Sequence, residues 1–593
     1  MIKDVLVIFK THLDIGFCDL ADKVVKRYLN EFIPNAIKRG YELKDTDTPY
    51  IWTVGSWLIN EALKNDIDGS VARAIEDGII VWHAFPYTSF TETMSRELLD
   101  YALSISADLD RRFGKKTIAA KMSDVPGHTK AMIPFLAKHG VEFMHIGVNP
   151  AYPLPPIPSL CRWKYRDDEI ILMYQSDYGN TVEFNDFVIT FGFTHDNTGP
   201  QSVEEIKELY RKLREKYPGA TVRAATLDDA AIMLRSIKDT LPVVTAELGD
   251  LWIQNAGTDP KKLSLYRELL RHIEKNGVGA DISDNLLLVP EHTWGGFEFM
   301  FDNFTDYFLE DFCRVPAEAK AFYEQSWKEQ RDYIDKAQAV LGTDYQYCVD
   351  EPDVTRMTEV SIPTLDFEIN WQLFDNSDYK RFVKKCIKED MQAVEWIWLD
   401  NTKYKLPDYN GGIYTAIPNH AYTDGERTVI RLDFPEDIAK KQGLPRVYAI
   451  IENDMIELRF FDITANRLPQ AYWFKYKTVE ESGWQIRKLG EWIDADDVIY
   501  SPLLAATDYG VRNRTTEIEA LDSPLVAPYG RRLLDAKDPT DPQDMYFNLY
   551  NNIWGCNHPM WYDDDSRFRF VIRKLTENKA KSNCGKELVS EWE

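Results

Sequence analysis

His12 and Asp14, two side chains that bind metals or move protons, stand two positions apart in "KTHLDIGFCDL", residues 10–20. They follow "DVLVIF", an apolar run that reads as a buried strand. Alternate residues of an extended chain face the same way, so imidazole and carboxylate leave the strand's end aimed at one spot. A second strand-like run, "TIAAKMSD", ends on Asp124 and turns through "VPGHT", where Thr129 can cap the helix that follows. "LLLVPEHTWGG" sets Glu291 and His292 between an apolar run and a Gly-Gly turn, beside Trp294. "FGFTHDNTGP" offers His195 and Asp196 as proton donors after a further strand. Taken singly, each also has an ordinary reading: a capping aspartate, a histidine satisfied by the backbone, an Asx turn closed by Gly199-Pro200.

What must position these residues is a series of strand-then-helix units over the first half of the chain. "VLVIF" precedes a helix near 20–40, "YIWTV" one near 57–77, and "IIVWHAF" one near 92–112. "FVITFGF" leads to "SVEEIKELYRKLREKY", and "TVRAAT" to "LDDAAIMLRSI". Such units predict a parallel sheet flanked by helices, with the chemistry on loops at the strands' carboxyl ends. Helical periodicity dominates 262–344. Short alternating runs after 345, such as "RTVIRLDF", "MIELRFFDI" and "RFRFVIRK", predict an antiparallel β-sandwich. Eight of the ten histidines (12, 83, 128, 139, 145, 195, 272 and 292) lie in the first half, which directs any imidazole chemistry to the α/β part.

Bulk properties narrow the partners. With 593 residues the chain is too long for one core. A net charge of −26 repels phosphate backbones, so nucleic acid is not an expected partner. No apolar run approaches the ~20 residues a membrane helix needs. Seven dispersed cysteines without a CxxC pair, and no basic-then-apolar leader, lead us to expect a reduced cytoplasmic protein. Assembly into a homo-oligomer is left open.

In order and spacing the motifs resemble glycoside hydrolase family 38, the class II α-mannosidases. "HLDIGF" matches that family's H-x-D-x-x-W, at His12, Asp14 and Phe17; "DVPGHT" matches its D-x-F/P-G-H-S, from Asp124 to Thr129. "FTETMSREL" resembles G-E-S-x-x-R-Q through Glu92 and Arg96, and "THDNTGP" the glycine-rich loop. "PVVTAELGDLW" and "NAGTDPKKLSLYRELLRHIE" resemble later segments, and "LLLVPEHTWGG" falls where the family carries its last metal histidine. The resemblance implies a compact member with an N-terminal seven-stranded β/α barrel-like domain (1–261), a helical bundle (262–344) and a C-terminal β-sandwich (345–593). It implies one divalent ion, normally zinc, on His12, Asp14, Asp124 and His292. It implies retaining cleavage of an α-glycoside with Asp124 as nucleophile. Asp196 is the expected acid/base, with Asp250 and Asp259 as fallbacks.

The family pattern is not kept everywhere. Phe17 replaces a tryptophan, and His195 stands in the acid's place with Asp196 one position later. Asn197 and Thr198 replace glycines, and Thr293 replaces an aspartate. Phe17, Trp82, His83, Tyr87, His195, Trp252 and Trp294 are the expected substrate contacts. Two other classes stay open: another metal-dependent carbohydrate enzyme on the same scaffold, a deacetylase or lyase, and a non-catalytic sugar-binding protein.

Overall fold

The computed structural model describes residues 1–277, 279–297, 308–342, 347, 349–394, 406–478, 483–501, 503–531, 533–534, 543–555 and 557–575. Eleven strands build the α/β part: β1 (Asp4–Thr11), β2 (Trp52–Gly55), β3 (Ile80–His83), β4 (Ala119–Asp124), β5 (Phe143–Val148), β6 (Leu160–Tyr165), β7 (Asp168–Ser176), β8 (Val182–Glu183), β9 (Phe187–Thr194), β10 (Thr221–Ala224) and β11 (Val243–Val244). The apolar runs become strands because both of their faces are covered. Val5, Val7 and Phe9 join the main core, while Leu6 and Ile8 join a second cluster with Ala119, Phe143, Ile171, Met173, Ile189 and Phe191.

One sheet runs β3-β2-β1-β9-β8, with β10 also paired to β1; the other runs β11-β6-β7-β5-β4. They face the shared interior and touch where Ala84 N donates to Ala119 O at 3.0 Å. Hydrogen bonding thus divides the strands into a six-stranded and a five-stranded sheet, where one seven-stranded barrel-like sheet was expected. On the side away from β3 and β4, the edges of β7 and β9 that would close a ring are already taken. β6 pairs antiparallel with β7, and β8 pairs antiparallel with β9. β1, β2, β3 and β9 run parallel to one another in the first sheet, and β4, β5 and β7 in the second, so within each sheet their carboxyl ends point the same way. That brings the ends of β1, β4 and β9 together.

Helix Arg96–Phe113 is capped by Ser95 Oγ, which accepts from Leu98 N at 3.2 Å, and stops at Gly114. In the 262–344 segment, helices Pro260–Asn276 and Ala280–Leu287 each pack on Ala317–Leu341 and on Arg96–Phe113. The second half forms a ten-stranded and a six-stranded sheet, with antiparallel pairing throughout the described ladders. Phe474 of the six-stranded sheet stacks on Phe570 of the ten-stranded sheet at 4.2 Å, which fits a sandwich. Apolar contacts run without a break from Val5 to Phe570. Arg267 ties the helical segment to the sandwich by donating to Thr507 O (2.9 Å), Ala520 O (2.6 Å) and Leu521 O (3.1 Å). Among the described residues no helix is long and apolar enough to cross a membrane.

Candidate metal centre

His12 and Asp14 leave the end of β1, Asp124 ends β4, and His292 follows helix Ala280–Leu287. One nitrogen or oxygen from each lies within 4.8 Å of all the others, and all four residues are buried. His12 Nε2 is 3.1 Å from Asp14 Oδ1 and 3.2 Å from His292 Nε2. His292 Nε2 is in turn 3.0 Å from Asp14 Oδ1 and 3.5 Å from Asp124 Oδ2.

The surrounding groups orient these atoms. His12 Nδ1 meets Ser123 Oγ at 2.8 Å, and His292 Nδ1 lies 2.7 Å from Glu291 Oε1. With Ser123 bonded to one Nδ1 and the Glu291 carboxylate beside the other, each ring presents Nε2 to the same point, as outer partners do in histidine metal sites. Glu291 Oε2 also accepts from Thr293 N at 2.9 Å, which fixes the turn. Asp124 sits at φ 78, a backbone region costly for a residue with a Cβ. Its Oδ1 accepts from Tyr178 OH at 2.7 Å and Asn149 Nδ2 at 2.8 Å.

Electrostatics favour positive charge here. Burial works against an imidazolium at His12, but Asp14, Asp124 and Asp196 outweigh it and raise its pKa. The same contest at His292 is won by Glu291, Asp124 and Asp14, which hold it well above the ordinary value. Burial opposes charge on Asp14, yet His12 and His292 keep its carboxyl below the usual range. Asp14 Oδ2 is buried without a hydrogen-bond partner among the described residues. Two imidazoles and two carboxylates in tetrahedral number fit a divalent ion of the zinc type, with manganese or cobalt also compatible.

Asp196 follows β9, and the loop is pinned against the first ligand loop by Asn197. Its backbone N donates to His12 O at 3.1 Å, and its Nδ2 to Asp14 O (3.1 Å) and Gly16 O (3.3 Å). Asn197 Oδ1 accepts from Asp14 N and from Tyr28 OH, both at 3.1 Å. Burial first, then Asp14, push the Asp196 carboxyl up to about 7; its Oδ1 is buried without a partner among the described residues.

The other candidates separate. Phe17 stacks on Phe297 at 4.8 Å, beside the first ligand loop, and His195 is exposed next to Asp196. Trp82 points from β3 into the helix layer, 6.1 Å from Phe113 and 5.4 Å from Lys115 Nζ, so it is not brought to the cluster. Tyr87 lies 5.6 Å from Trp57 and donates to Leu287 O, and it too packs under helices. His83 is buried in the interior below the ligands. Trp252 lies between Tyr152 (5.3 Å) and Trp554 (5.9 Å). Trp294 donates from Nε1 to Val289 O and Glu291 O, both at 3.0 Å, and so holds the turn carrying His292. Asp259 caps helix Pro260–Asn276 and meets Arg331 Nε at 2.7 Å, which commits it to structure. Asp250 is buried and accepts from Trp252 N at 2.9 Å.

Sequence reasoning did not single out Ser123, Asn149 or Tyr178 for the site. Ser123 could have been found as the neighbour of a strand-terminal aspartate. Asn149 and Tyr178 carry no local signal, because only the sheet order brings β5 and β7 beside Asp124. A buried bridge beyond the ligands was also unforeseen. Lys488, from the sandwich, lies 2.9 Å from both Glu92 Oε2 and Glu247 Oε1. Glu247 Oε2 accepts from Lys130 N (2.9 Å) and Thr129 Oγ1 (3.2 Å), just after the Asp124 turn. Thr129 Oγ1 caps its short helix as expected, accepting from Ala131 N at 3.2 Å.

Residues 256–365 match the model of a domain of unknown function, DUF5054. A search of curated proteins returned no match. Among solved structures, the chain is similar to an α-mannosidase from Enterococcus faecalis V583, with a TM-score of 0.59 at 9% identity, covering 98% of this chain and 88% of that one. It is also similar to a protein in glycosyl hydrolase family 38 from Enterococcus faecalis, with a TM-score of 0.55 at 9% identity, covering 98% and 87%. Along almost its whole length, the chain therefore has the fold of these glycoside hydrolase family 38 structures.

Proposed function

We propose that the protein is a metal-dependent retaining glycoside hydrolase that cleaves α-glycosides of small oligosaccharides, α-mannosides first among them. The observation that carries this reading is the meeting of His12, Asp14 and Asp124, at the ends of β1 and β4, with His292 from the turn after helix Ala280–Leu287. These four residues would hold the ion, with zinc favoured by their donors. A cation held there would supply Lewis acidity toward the bound sugar.

The chain's own residues do the bond chemistry. Asp124 attacks the anomeric carbon as the glycosidic C–O bond breaks, and Asp196 gives its proton to the leaving oxygen. In the second half, Asp196 takes a proton from water, whose oxygen displaces Asp124 from the anomeric carbon. Two displacements restore the starting configuration. Support for Asp124 comes from the Tyr178 and Asn149 donors that fix one carboxylate oxygen. Support for Asp196 comes from its raised carboxyl, a form able to donate near neutral pH.

We assign the chemistry to residues 1–261, the last ligand to the helical segment 262–344, and supporting contacts to the sandwich 345–593. Lys488 and the Asn557 carbonyl, which accepts from Trp294 N at 3.1 Å, support the last assignment. The described cysteines Cys18, Cys161, Cys313 and Cys386 are unpaired, which suits a reducing, cytoplasmic setting.

The test is hydrolysis of nitrophenyl glycosides by zinc-loaded protein, with the product anomer followed by NMR. Retained configuration, and loss of turnover in Asp124→Asn, are the expected results. No turnover of any such glycoside with zinc, manganese or cobalt present would overturn the reading.

A further inference from the structure

Beneath the metal ligands the interior of the α/β part carries a second polar layer that the proposed reaction leaves unused. Inward positions alternate along each strand. On β1 they run Leu6, Ile8, Lys10, His12, and on β4 Ala119, Lys121, Ser123, with Leu6, Ile8 and Ala119 in the apolar interior and His12 and Ser123 at the metal centre. Lys10 and Lys121 therefore lie between those two levels. Thr53 is the register partner of Lys10 on β2, and His145 that of Lys121 on β5. His83, on the face of β3 opposite Trp82, joins them.

This layer holds two lysines and two imidazoles, and among the described residues no carboxylate pairs with any of them. Lys121 and His145 satisfy each other in part. Lys121 Nζ is 2.6 Å from His145 Nδ1 and donates to Tyr178 O at 2.7 Å, and His145 Nε2 meets Gln175 Oε1 at 2.8 Å. The other three groups are left over. Lys10 Nζ has no hydrogen bond or ion pair among the described residues. Thr53 Oγ1 and His83 Nδ1 are buried without a partner among the described residues. His83 lies two positions past Val81, the register partner of Thr53, and β3 meets β4 where Ala84 N donates to Ala119 O, which sets this imidazole beside both lysine-bearing strands. Buried polar groups are ordinarily hydrogen-bonded, so two buried orphans beside an ammonium without a protein partner point to something that accepts from them.

We propose that Lys10, Thr53, His83 and Lys121 enclose one small monovalent anion of the halide class. An ammonium, a hydroxyl and an imidazole N–H are the donors a bare halide takes, and the layer offers them without a competing carboxylate. Such an anion would supply the countercharge that the buried lysines lack. The proposal stands apart from the glycosidase reading, since it uses none of the metal ligands or the acid.

The test is a bromide soak of full-length crystals grown without halide, paired with unfolding midpoints in bromide against gluconate at equal ionic strength. An anomalous peak within hydrogen-bond reach of Lys10 Nζ and Thr53 Oγ1, and a saturable bromide-specific rise in midpoint, are expected. Thr53→Val keeps the volume but removes one donor, and should weaken the bromide response about three- to tenfold. Lys10→Met should abolish it and remove the peak. An ordered water without anomalous signal, or equal midpoints in the two salts, would overturn the proposal. So would variants that titrate like the wild type.

Discussion

Lys488→Met is the perturbation that best separates this architecture from a loose association of parts. The ammonium is fully buried, 2.9 Å from a carboxylate oxygen on each side, and both partners are also at most 1% exposed. Each contact is worth about 6 kcal/mol by Coulomb's law at an effective dielectric of ~20, before desolvation is subtracted. Removing only the cation leaves two buried carboxylates without compensation, a change that costs about 3–5 kcal/mol. The loss should grow with pH. Burial already holds Glu92 above the usual carboxylate range, with Lys488 opposing, so deleting the ammonium raises it further. A carboxyl raised in the folded state contributes stability below its folded pKa and loses it as pH climbs through that value. Urea unfolding followed by tryptophan fluorescence, at pH about 5 and about 8, measures both effects. Replacing all three groups, Glu92→Gln with Glu247→Gln and Lys488→Met, should recover much of the loss. A deficit under about 1 kcal/mol, or one that does not change with pH, would refute the reasoning.

Other outcomes follow from the site. Asp196→Asn should lower kcat/KM for a glycoside with a poor leaving group by about 10²–10⁴, spare kcat/KM for activated aryl glycosides, and still lower their kcat, because the second half lacks its base. Asp196 must be protonated to donate, so kcat should fall as pH rises past about 7, or lower once the cation pulls the carboxyl down, and that limb should vanish in Asp196→Asn. Glu291→Gln, which weakens the group behind His292, should reduce zinc affinity about 10- to 100-fold in a chelator competition without abolishing the fold. Asn197→Ala strips partners from Asp14 N and two buried carbonyls and should cost about 1–3 kcal/mol, read by urea unfolding.

The ligands were legible because each stands where a periodic pattern stops: His12 and Asp14 after an apolar run, Asp124 before Pro126-Gly127, His292 before Gly295-Gly296. The strands of the sandwich were legible through their alternation, as in Ser566–Lys574. The division into two sheets was not, because the antiparallel pairing of β6 and of the two-residue β8 depends on which edges are free in three dimensions. Aromatic candidates fared unevenly for a related reason. Trp82 and His83 are adjacent in sequence, yet a strand sends them to opposite faces, and nothing in the local pattern says which face holds the site. The Lys488 bridge spans more than two hundred positions to Glu247, beyond any spacing rule.

The most direct measurement is metal content by mass spectrometry of the purified chain, beside the single variants His12→Ala and His292→Ala. Zinc, or another divalent ion, at one equivalent per wild-type chain, and its loss from both folded variants, is what convergence at 4.8 Å predicts. A wild type that stays empty after zinc loading, or variants that retain the full equivalent, would contradict it.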